Sequence, residues 1–224
     1  MSERESGPEQ PTESREQMGM LREPHPHSER LTRQITFVLE LDRLKRVLRQ
    51  TVLLDESRHE NSAEHSWHLA LMAVVLQEYS AEPVDLGRVL RMVLVHDVVE
   101  IDAGDTFCYD AEANLDKEER ERLAAERIFG LLPADQADEL RQLWQEFEER
   151  VTPEARFAAA LDRLQPMLHN YHTAGSSWRR HGIRRRQVLE RNRPMGEGAP
   201  ELWRYAERFV DAAAAAGIFP ADEE

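Results

Sequence analysis

The strongest constraint on this chain of 224 residues is the spacing of its apolar side chains, which recur at intervals of three and four from Leu31 to Gly217. That spacing is typical of helices with one buried face, and no run alternates apolar and polar residues long enough to predict a strand. Such helices bury their apolar faces against one another. The sequence therefore predicts an all-α fold, a single helical bundle.

The predicted helices are separated by short turns that contain Pro, Gly or Asp. They cover residues 31–50, 62–79, 86–100, 116–130, 133–150, 153–172, 184–192 and 200–217. Ser62 is the predicted N-cap of the second helix, and Asp116 with Glu119 forms a predicted capping box for the fourth. The third helix is the most apolar of the set, so we expect it to be buried on most sides.

The first 31 residues have a different composition. They contain four prolines, alternating charges and few sizeable apolar side chains. Such a segment cannot bury enough surface to offset the entropy lost on ordering. We therefore predict a disordered acidic tail at residues 1–31 and one domain at residues 32–220.

Charge and cysteine content exclude several classes of function. The chain has 29 basic and 43 acidic residues, a net charge of −14, and Cys108 is its only cysteine. That charge argues against a nucleic-acid polymer as partner, but a metal ion or one arginine could still hold a small phosphorylated substrate. A lone cysteine excludes a disulfide framework and makes a reducing cytoplasm the expected compartment. No apolar run approaches the roughly 18 residues of a membrane span, so no membrane partner is expected.

Ionisable side chains are concentrated at three places on otherwise apolar helices. His65 begins the second helix, His96 and Asp97 lie near the end of the third, and Asp162 is set among alanines and leucines of the sixth. A buried charge is costly unless it is paired or coordinated. Two imidazoles and two carboxylates facing the inside of a bundle suit a first-row divalent cation with open positions.

Other interpretations of these residues remain open. Taken alone, the pair His96 and Asp97 is also compatible with a core histidine beside the solvated end of a helix. His68 shares a helix face with His65 and is the competing ligand, although we favour His65. We interpret His169 and His172, at the end of the sixth helix, as cations that favour the helix dipole and not as ligands.

The order of these residues is similar to a known signature. His65, the His96-Asp97 pair and Asp162 resemble the H…HD…D pattern of the HD-domain metal-dependent phosphohydrolase superfamily. The segments 58–68, 94–100 and 103–105 resemble one branch of it, the small HD-domain 5′-deoxynucleotidases. The resemblance extends from about residue 31 to about residue 219, and implies an HD-domain helical bundle.

The resemblance implies roles for particular residues. One divalent ion (Mn, Co, Mg, Zn or Fe) would be held by His65, His96, Asp97 and Asp162. Glu100 matches the carboxylate that polarises or deprotonates the attacking water. Asp105 matches an aspartate near the sugar and phosphate, which could protonate or orient the leaving 5′-oxygen or exclude a 2′-hydroxyl.

The phosphate-binding arginine has two candidates. Arg49 lies close to the position of the family's arginine at the end of the first helix. In the bacterial nucleotidases a tryptophan follows that arginine directly, whereas Gln50 and Thr51 follow here. Arg58 is therefore the second candidate, because guanidinium suits bidentate binding of phosphate.

The implied activity is that of a metal-dependent 5′-nucleotidase, which hydrolyses (deoxy)nucleoside 5′-monophosphates through a metal-activated water. The alternatives are a phosphohydrolase or phosphodiesterase for another small phosphorylated metabolite, and a nucleotide-binding module without turnover. Because all four ligands, Glu100 and Asp105 are present, the sequence favours an enzyme. By analogy with relatives, a homodimer or higher homo-oligomer is expected.

Overall fold

A computed structural model describes residues 28–220, and it confirms the all-α fold class. The described chain begins with α1 (Glu29–Glu40) and a 3₁₀ helix (Leu41–Arg46), followed by β1 (Leu48–Val52) and β2 (His59–Asn61). The helices that follow are α2 (Ser62–Leu76), α3 (Leu86–Val95), α4 (Glu100–Ala103), α5 (Lys117–Phe129), α6 (Ala134–Glu149), α7 (Pro153–His172), α8 (Ser176–Arg180), α9 (Arg185–Asn192), α10 (Met195–Gly198) and α11 (Pro200–Ala215). A second 3₁₀ helix, Gln77–Tyr79, continues α2.

Most of the predicted tail at residues 1–31 lies outside the described residues. Its last residues are described and belong to the bundle, since Ser28 accepts a hydrogen bond at its Oγ from the backbone of Leu31, at 3.2 Å, and caps α1. Among residues 28–220, no helix combines the length and the apolar character that crossing a membrane would require.

The prediction of one helix over residues 31–50 was wrong in its second half. The helix ends at Glu40, and β1 pairs antiparallel with β2, with Leu48 opposite Asn61 and Val52 opposite His59. Exposed, half-buried and buried residues follow one another along β1 without alternating, so the sequence carried no strand signal. This hairpin matters because it brings Arg49 to the inside of the bundle.

Helix α7 lies at the centre of the molecule. Its alanine-rich first half, including Ala155, Ala158 and Leu161, is buried against the other helices of the core. Helix α10 approaches it so closely that a Cβ on Gly198 would lie 2.2 Å from the carbonyl oxygen of Arg156. Only glycine permits this close approach of the two helices.

Two predicted helix starts differ in detail. Asn61, and not Ser62, is the N-cap of α2: its side chain accepts from the backbone of Glu64, and Glu64 accepts from the backbone of Asn61. That reciprocal pair is a capping box, and Ser62 becomes the first helical residue. Asp116 is the N-cap of α5, but its side chain makes no capping hydrogen bond.

Candidate metal centre

Three helices bring the four predicted ligands to one point in the interior. His65 on α2 is fully buried, and its Nε2 lies 3.1 Å from Asp162 Oδ1 on α7. His96 Nε2 lies 3.7 Å from the same oxygen and 3.0 Å from Asp97 Oδ1. The set has the chemistry that first-row divalent cations prefer, two imidazole nitrogens and two carboxylates.

The end of α3 explains how neighbouring residues face one centre. The helix stops at Val95, and hydrogen bonds from Val98 to Val95 and from Glu100 to Asp97 then connect residues three apart. This tighter 3₁₀ turn replaces the continuous helix that was predicted to residue 100. His96 itself keeps α-helical angles, φ −56° and ψ −42°, so the departure from the α-helix begins after it.

The hydrogen bonds of His96 leave one ring nitrogen for an ion. Its Nδ1 donates to the carbonyl oxygen of Val93 at 2.9 Å, while its Nε2 is buried and has no hydrogen-bond partner. An imidazole held this way directs the Nε2 lone pair into the cluster. Burial opposes a positive charge here, yet the charge of Asp97 raises the pKa of His96 well above its usual range, so the surroundings favour a proton on Nε2 that a bound divalent ion would displace.

The carboxylates of the cluster are held in their charged form. Burial would raise the pKa of Asp97, but the charges of His96 and Arg49 lower it to about 2. Burial would also raise the pKa of Asp162, but the neighbouring rings of His65 and His96 hold it well below its usual range. The cluster therefore supplies negative charge to a bound ion.

Glu100 lies next to the cluster in the same cleft. It is buried, and its Oε2 accepts a hydrogen bond from Ser62 Oγ at 2.6 Å. Burial and the negative charge of Asp97 raise its pKa well above the usual value. A carboxyl group with a raised pKa is suited to take a proton at neutral pH.

Arg49 and Asp105 complete the wall of the cleft. Arg49 Nη1 donates to Asp97 Oδ2 at 2.6 Å and lies 4.0 Å from Asp105 Oδ1, and its Nη2 lies 3.9 Å from Asp162 Oδ1. Asp105 follows Gly104, whose φ of 75° allows the turn after α4. Burial raises the pKa of Asp105.

Arg58 is not part of this group. It lies in the turn between β1 and β2, half exposed, and its Nη1 and Nη2 donate to the carboxylate of Glu64 at 2.6 and 2.9 Å. Among the residues that line the cleft, Arg49 is present and Arg58 is absent. His68 also lies elsewhere, since its ring faces Gln165 and not the cluster.

Several cleft residues were missed by sequence reasoning. Lys117, Arg163 and Arg191 add positive charge to the wall, and Phe107 and Tyr109 add aromatic surface. They come from separate loops and helices, so no spacing in the sequence relates them to the ligands.

Glu60 was missed for a different reason. It is buried on β2, and its Oε2 lies 3.5 Å from His65 Nδ1. A carboxylate behind a ligating histidine orients the ring. The segment around Glu60 was one of those that carried the family resemblance, but its residues have no helical spacing that relates Glu60 to His65.

The bundle and its cluster define a helical protein with a candidate metal centre between facing helices. The HD domain family matches residues 41–203, and the chain therefore belongs to that family. The resemblance predicted from the motifs is thereby confirmed.

Curated relatives agree with this assignment. The 5′-deoxynucleotidase HDDC2 of Homo sapiens is 33% identical over 135 residues, which cover 60% of this chain and 65% of the human protein. The protein of the same name from Danio rerio is 31% identical over 140 residues, covering 61% and 68%. The chain thus spans slightly less than two thirds of the length of the human relative.

Solved structures share the fold. A crystal structure described as a predicted metal-dependent phosphohydrolase from Magnetospirillum magnetotacticum MS-1 has a TM-score of 0.82 and 55% identity, covering 87% of this chain and all of that one. A conserved hypothetical protein from Pyrococcus furiosus, 22% identical, has a TM-score of 0.59 over 81% of this chain and 99% of its own. At that identity the second likeness concerns the fold alone.

Proposed function

We propose that this chain is a metal-dependent phosphohydrolase that converts nucleoside 5′-monophosphates, deoxynucleotides in particular, to nucleoside and phosphate. One observation carries the proposal: His96, Asp97 and Asp162 line the same cleft as Glu100 and a cationic wall, and the buried His65 lies 3.1 Å from Asp162. The names of the curated relatives support the same class of substrate.

The residues present fit a divalent ion, as the partnerless Nε2 of His96 shows. His65, His96, Asp97 and Asp162 would hold it. When bound, such an ion lowers the pKa of a coordinated water and polarises a phosphoryl oxygen. Mn²⁺, Co²⁺, Mg²⁺, Zn²⁺ and Fe²⁺ remain candidates.

Glu100 is the proposed proton acceptor. Its Oε2 is engaged by Ser62, so its Oε1 is left to take a proton from the attacking water. The water oxygen forms a bond to phosphorus, and the bond from phosphorus to the 5′-oxygen breaks. The leaving oxygen then takes up one proton, which balances the reaction.

Arg49 is the proposed phosphate ligand. Its guanidinium lies 2.6 Å from the carboxylate of Asp97 and 3.9 Å from that of Asp162, where it would contact a phosphoryl oxygen of the substrate. Guanidinium binds such an anion through two parallel hydrogen bonds. Arg58 is committed to Glu64 at the surface, which favours Arg49 of the two candidates.

The cleft also suits a nucleoside. Phe107 and Tyr109 follow Asp105 on one loop, their rings 5.4 Å apart, and both line the cleft. Aromatic faces of this kind stack on bases. Asp105 is the proposed contact to the sugar and the leaving oxygen. If Asp105 protonates the leaving oxygen, Asp105→Asn should slow the hydrolysis of both deoxyribonucleotides and ribonucleotides. If Asp105 excludes a 2′-hydroxyl, the same substitution should raise activity on ribonucleotides.

A phosphate-release screen tests the proposal. It compares deoxynucleoside and ribonucleoside 5′-monophosphates, cyclic nucleotides and sugar phosphates, each with Mn²⁺, Co²⁺, Mg²⁺ or Zn²⁺. We expect the highest kcat/KM with deoxynucleoside 5′-monophosphates. Activity only on sugar phosphates or cyclic nucleotides would assign a different substrate, and binding of nucleotides without any release would indicate a module without turnover.

The oligomeric state stays a prediction. We expect a homodimer or larger homo-oligomer, and light scattering coupled to size-exclusion chromatography measures it directly. A mass of one chain, 26.0 kDa, would contradict that expectation.

A further inference from the structure

A second group of ligand atoms lies behind the candidate metal centre, outside the cleft. Glu60 on β2, His68 on α2 and His169 on α7 each direct one oxygen or nitrogen to a common point, and these atoms lie within 4.8 Å of one another. Glu60 and His169 are buried, and His68 is half-buried, so solvent reaches the group from one side.

The amide of Gln165 occupies the middle of this group. Its Nε2 donates to Glu60 Oε1 at 2.6 Å, and lies 3.2 Å from His169 Nε2 and 3.4 Å from His68 Nδ1. An amide nitrogen has two hydrogens and here meets three acceptors. At most two of these three atoms can therefore accept a hydrogen from Gln165 at one time.

The hydrogen bonds around the group prepare it for a cation. His169 Nδ1 donates to the carbonyl oxygen of Val52 at 2.9 Å, so the lone pair of its Nε2 faces the common point. Burial lowers the pKa of His68, which keeps that ring neutral and able to ligate. The Oε1 of Gln165 is buried without a partner. Rotation of the amide would turn this oxygen towards the common point.

We propose that Glu60, His68 and His169 form a second, separate site for a divalent transition metal such as Zn²⁺ or Co²⁺, with Gln165 Oε1 as its fourth ligand after the amide rotates. Two imidazole nitrogens with oxygen ligands form a common donor set for zinc. The ion replaces the amide hydrogens and satisfies all three acceptors at once.

The position of the site implies a structural role. The ion links β2, α2 and α7, and two of these elements carry ligands of the candidate metal centre. Glu60 faces both places, because its Oε1 belongs to the second site while its Oε2 lies 3.5 Å from His65 Nδ1. The second ion thereby holds the residue that orients His65.

Metal stoichiometry tests the proposal without any substrate. The full-length protein is stripped with a chelator, dialysed against Zn²⁺ or Co²⁺, and analysed by mass spectrometry of the bound metal. We expect His68→Gln to bind one equivalent less than wild type. His172→Gln, an exposed histidine at the end of the same helix as His169, is the matched control and keeps the wild-type value.

Asp162→Asn separates this proposal from the proposed function. It removes a ligand of the candidate metal centre only, so it also loses one equivalent, and the double variant with His68→Gln loses two. Wild-type stoichiometry in folded His68→Gln would overturn the second site and leave the first intact. Loss of one metal equivalent in His68→Gln but not in Asp162→Asn would support the second site and contradict the candidate metal centre.

A measurement on the wild-type protein covers the case in which a variant does not fold. Crystals soaked in Zn²⁺ and measured at the zinc edge locate each ion by anomalous scattering. We expect a peak among Glu60, His68 and His169. Density for Gln165 still between these residues, with no peak there at saturating Zn²⁺, would contradict the proposal.

Discussion

Residues 28–220 contain two clusters built from similar side chains, and helices α2 and α7 contribute to both. Helix α2 gives His65 to one and His68 to the other, and α7 gives Asp162 and His169. His96, Asp97 and Asp162 of the first cluster line the cleft together with Glu100, Arg49 and other cationic side chains. The second is packed around the amide of Gln165, and none of its three residues lines that cleft.

This difference shows that ligand chemistry alone does not define a reactive site. Both clusters combine imidazole with carboxylate, and one turn of α2 separates His65 from His68. Arg49 approaches both, since its Nε lies 3.9 Å from Glu60 Oε2, but only the first lies beside Glu100 on the cleft. The second is suited to hold the backbone in place, and we assign it a structural role for that reason.

Removing a ligand of the first cluster has the largest expected effect. Asp97→Ala removes one ligand and the hydrogen-bond acceptor of Arg49. We expect phosphate release to fall about 1,000-fold or more, because activation of water by the ion is lost. Metal analysis of the same sample should show one equivalent less. Full activity with full metal content would contradict the assignment of Asp97 as a metal ligand.

Glu100→Gln separates binding from turnover. The amide keeps the size of the side chain but no longer accepts a proton, so we expect kcat to fall by about 10²–10⁴-fold with unchanged metal content. Glu112→Gln is the control, because Glu112 is exposed on the loop before α5. Its kcat should stay within about twofold of wild type, as expected for a surface substitution. Near-full activity of Glu100→Gln would leave the metal cluster in place and make the assignment of the base wrong.

Arg49→Ala tests the phosphate ligand. Hydrogen bonds to a charged group contribute about 1.5–3 kcal/mol, so kcat/KM should fall by about 10–150-fold. Since Arg49 also contacts Asp97, metal content must be measured in parallel. A loss that is fully restored by excess metal would show that Arg49 acts on the ion and not on the phosphate.

Arg58→Ala has the smallest expected effect, and it is the partner experiment to Arg49→Ala. Its ion pair with Glu64 is at the surface, where such pairs contribute little. We expect kcat/KM within about twofold of wild type and little change in melting temperature. A large rise in KM for nucleotides would mean that the turn between β1 and β2 moves over the cleft when substrate binds.

Much of the fold could be predicted from the sequence. Apolar spacing marked the helices that form the bundle, and the helix predicted over residues 153–172 has the bounds that α7 has in the structure. Spacing failed where tertiary contacts override local preference. The hairpin that carries Arg49 has no alternating pattern, and the 3₁₀ turn after Val95 ends a helix whose apolar residues continue.

The residues of the candidate site also separate into those that sequence patterns predicted and those that they did not. His65, His96, Asp97 and Asp162 were found because each is an ionisable group on an apolar helix, and the structure brings them together. Glu60 and Gln165 were missed, since a lone glutamate on a strand and a glutamine on a helix have no distinctive pattern. His169 was attributed to the helix dipole, and its contact with Val52 is visible only in three dimensions.

The most direct test of the proposed function is hydrolysis of a deoxynucleoside 5′-monophosphate in ¹⁸O-labelled water by the metal-loaded protein. Attack of water on phosphorus places one labelled oxygen in the released phosphate and none in the nucleoside. We expect that distribution, with the rate reduced in Glu100→Gln. Label in the 5′-hydroxyl of the nucleoside, or no phosphate from any of the four deoxynucleotides with any of the candidate metals, would contradict the account.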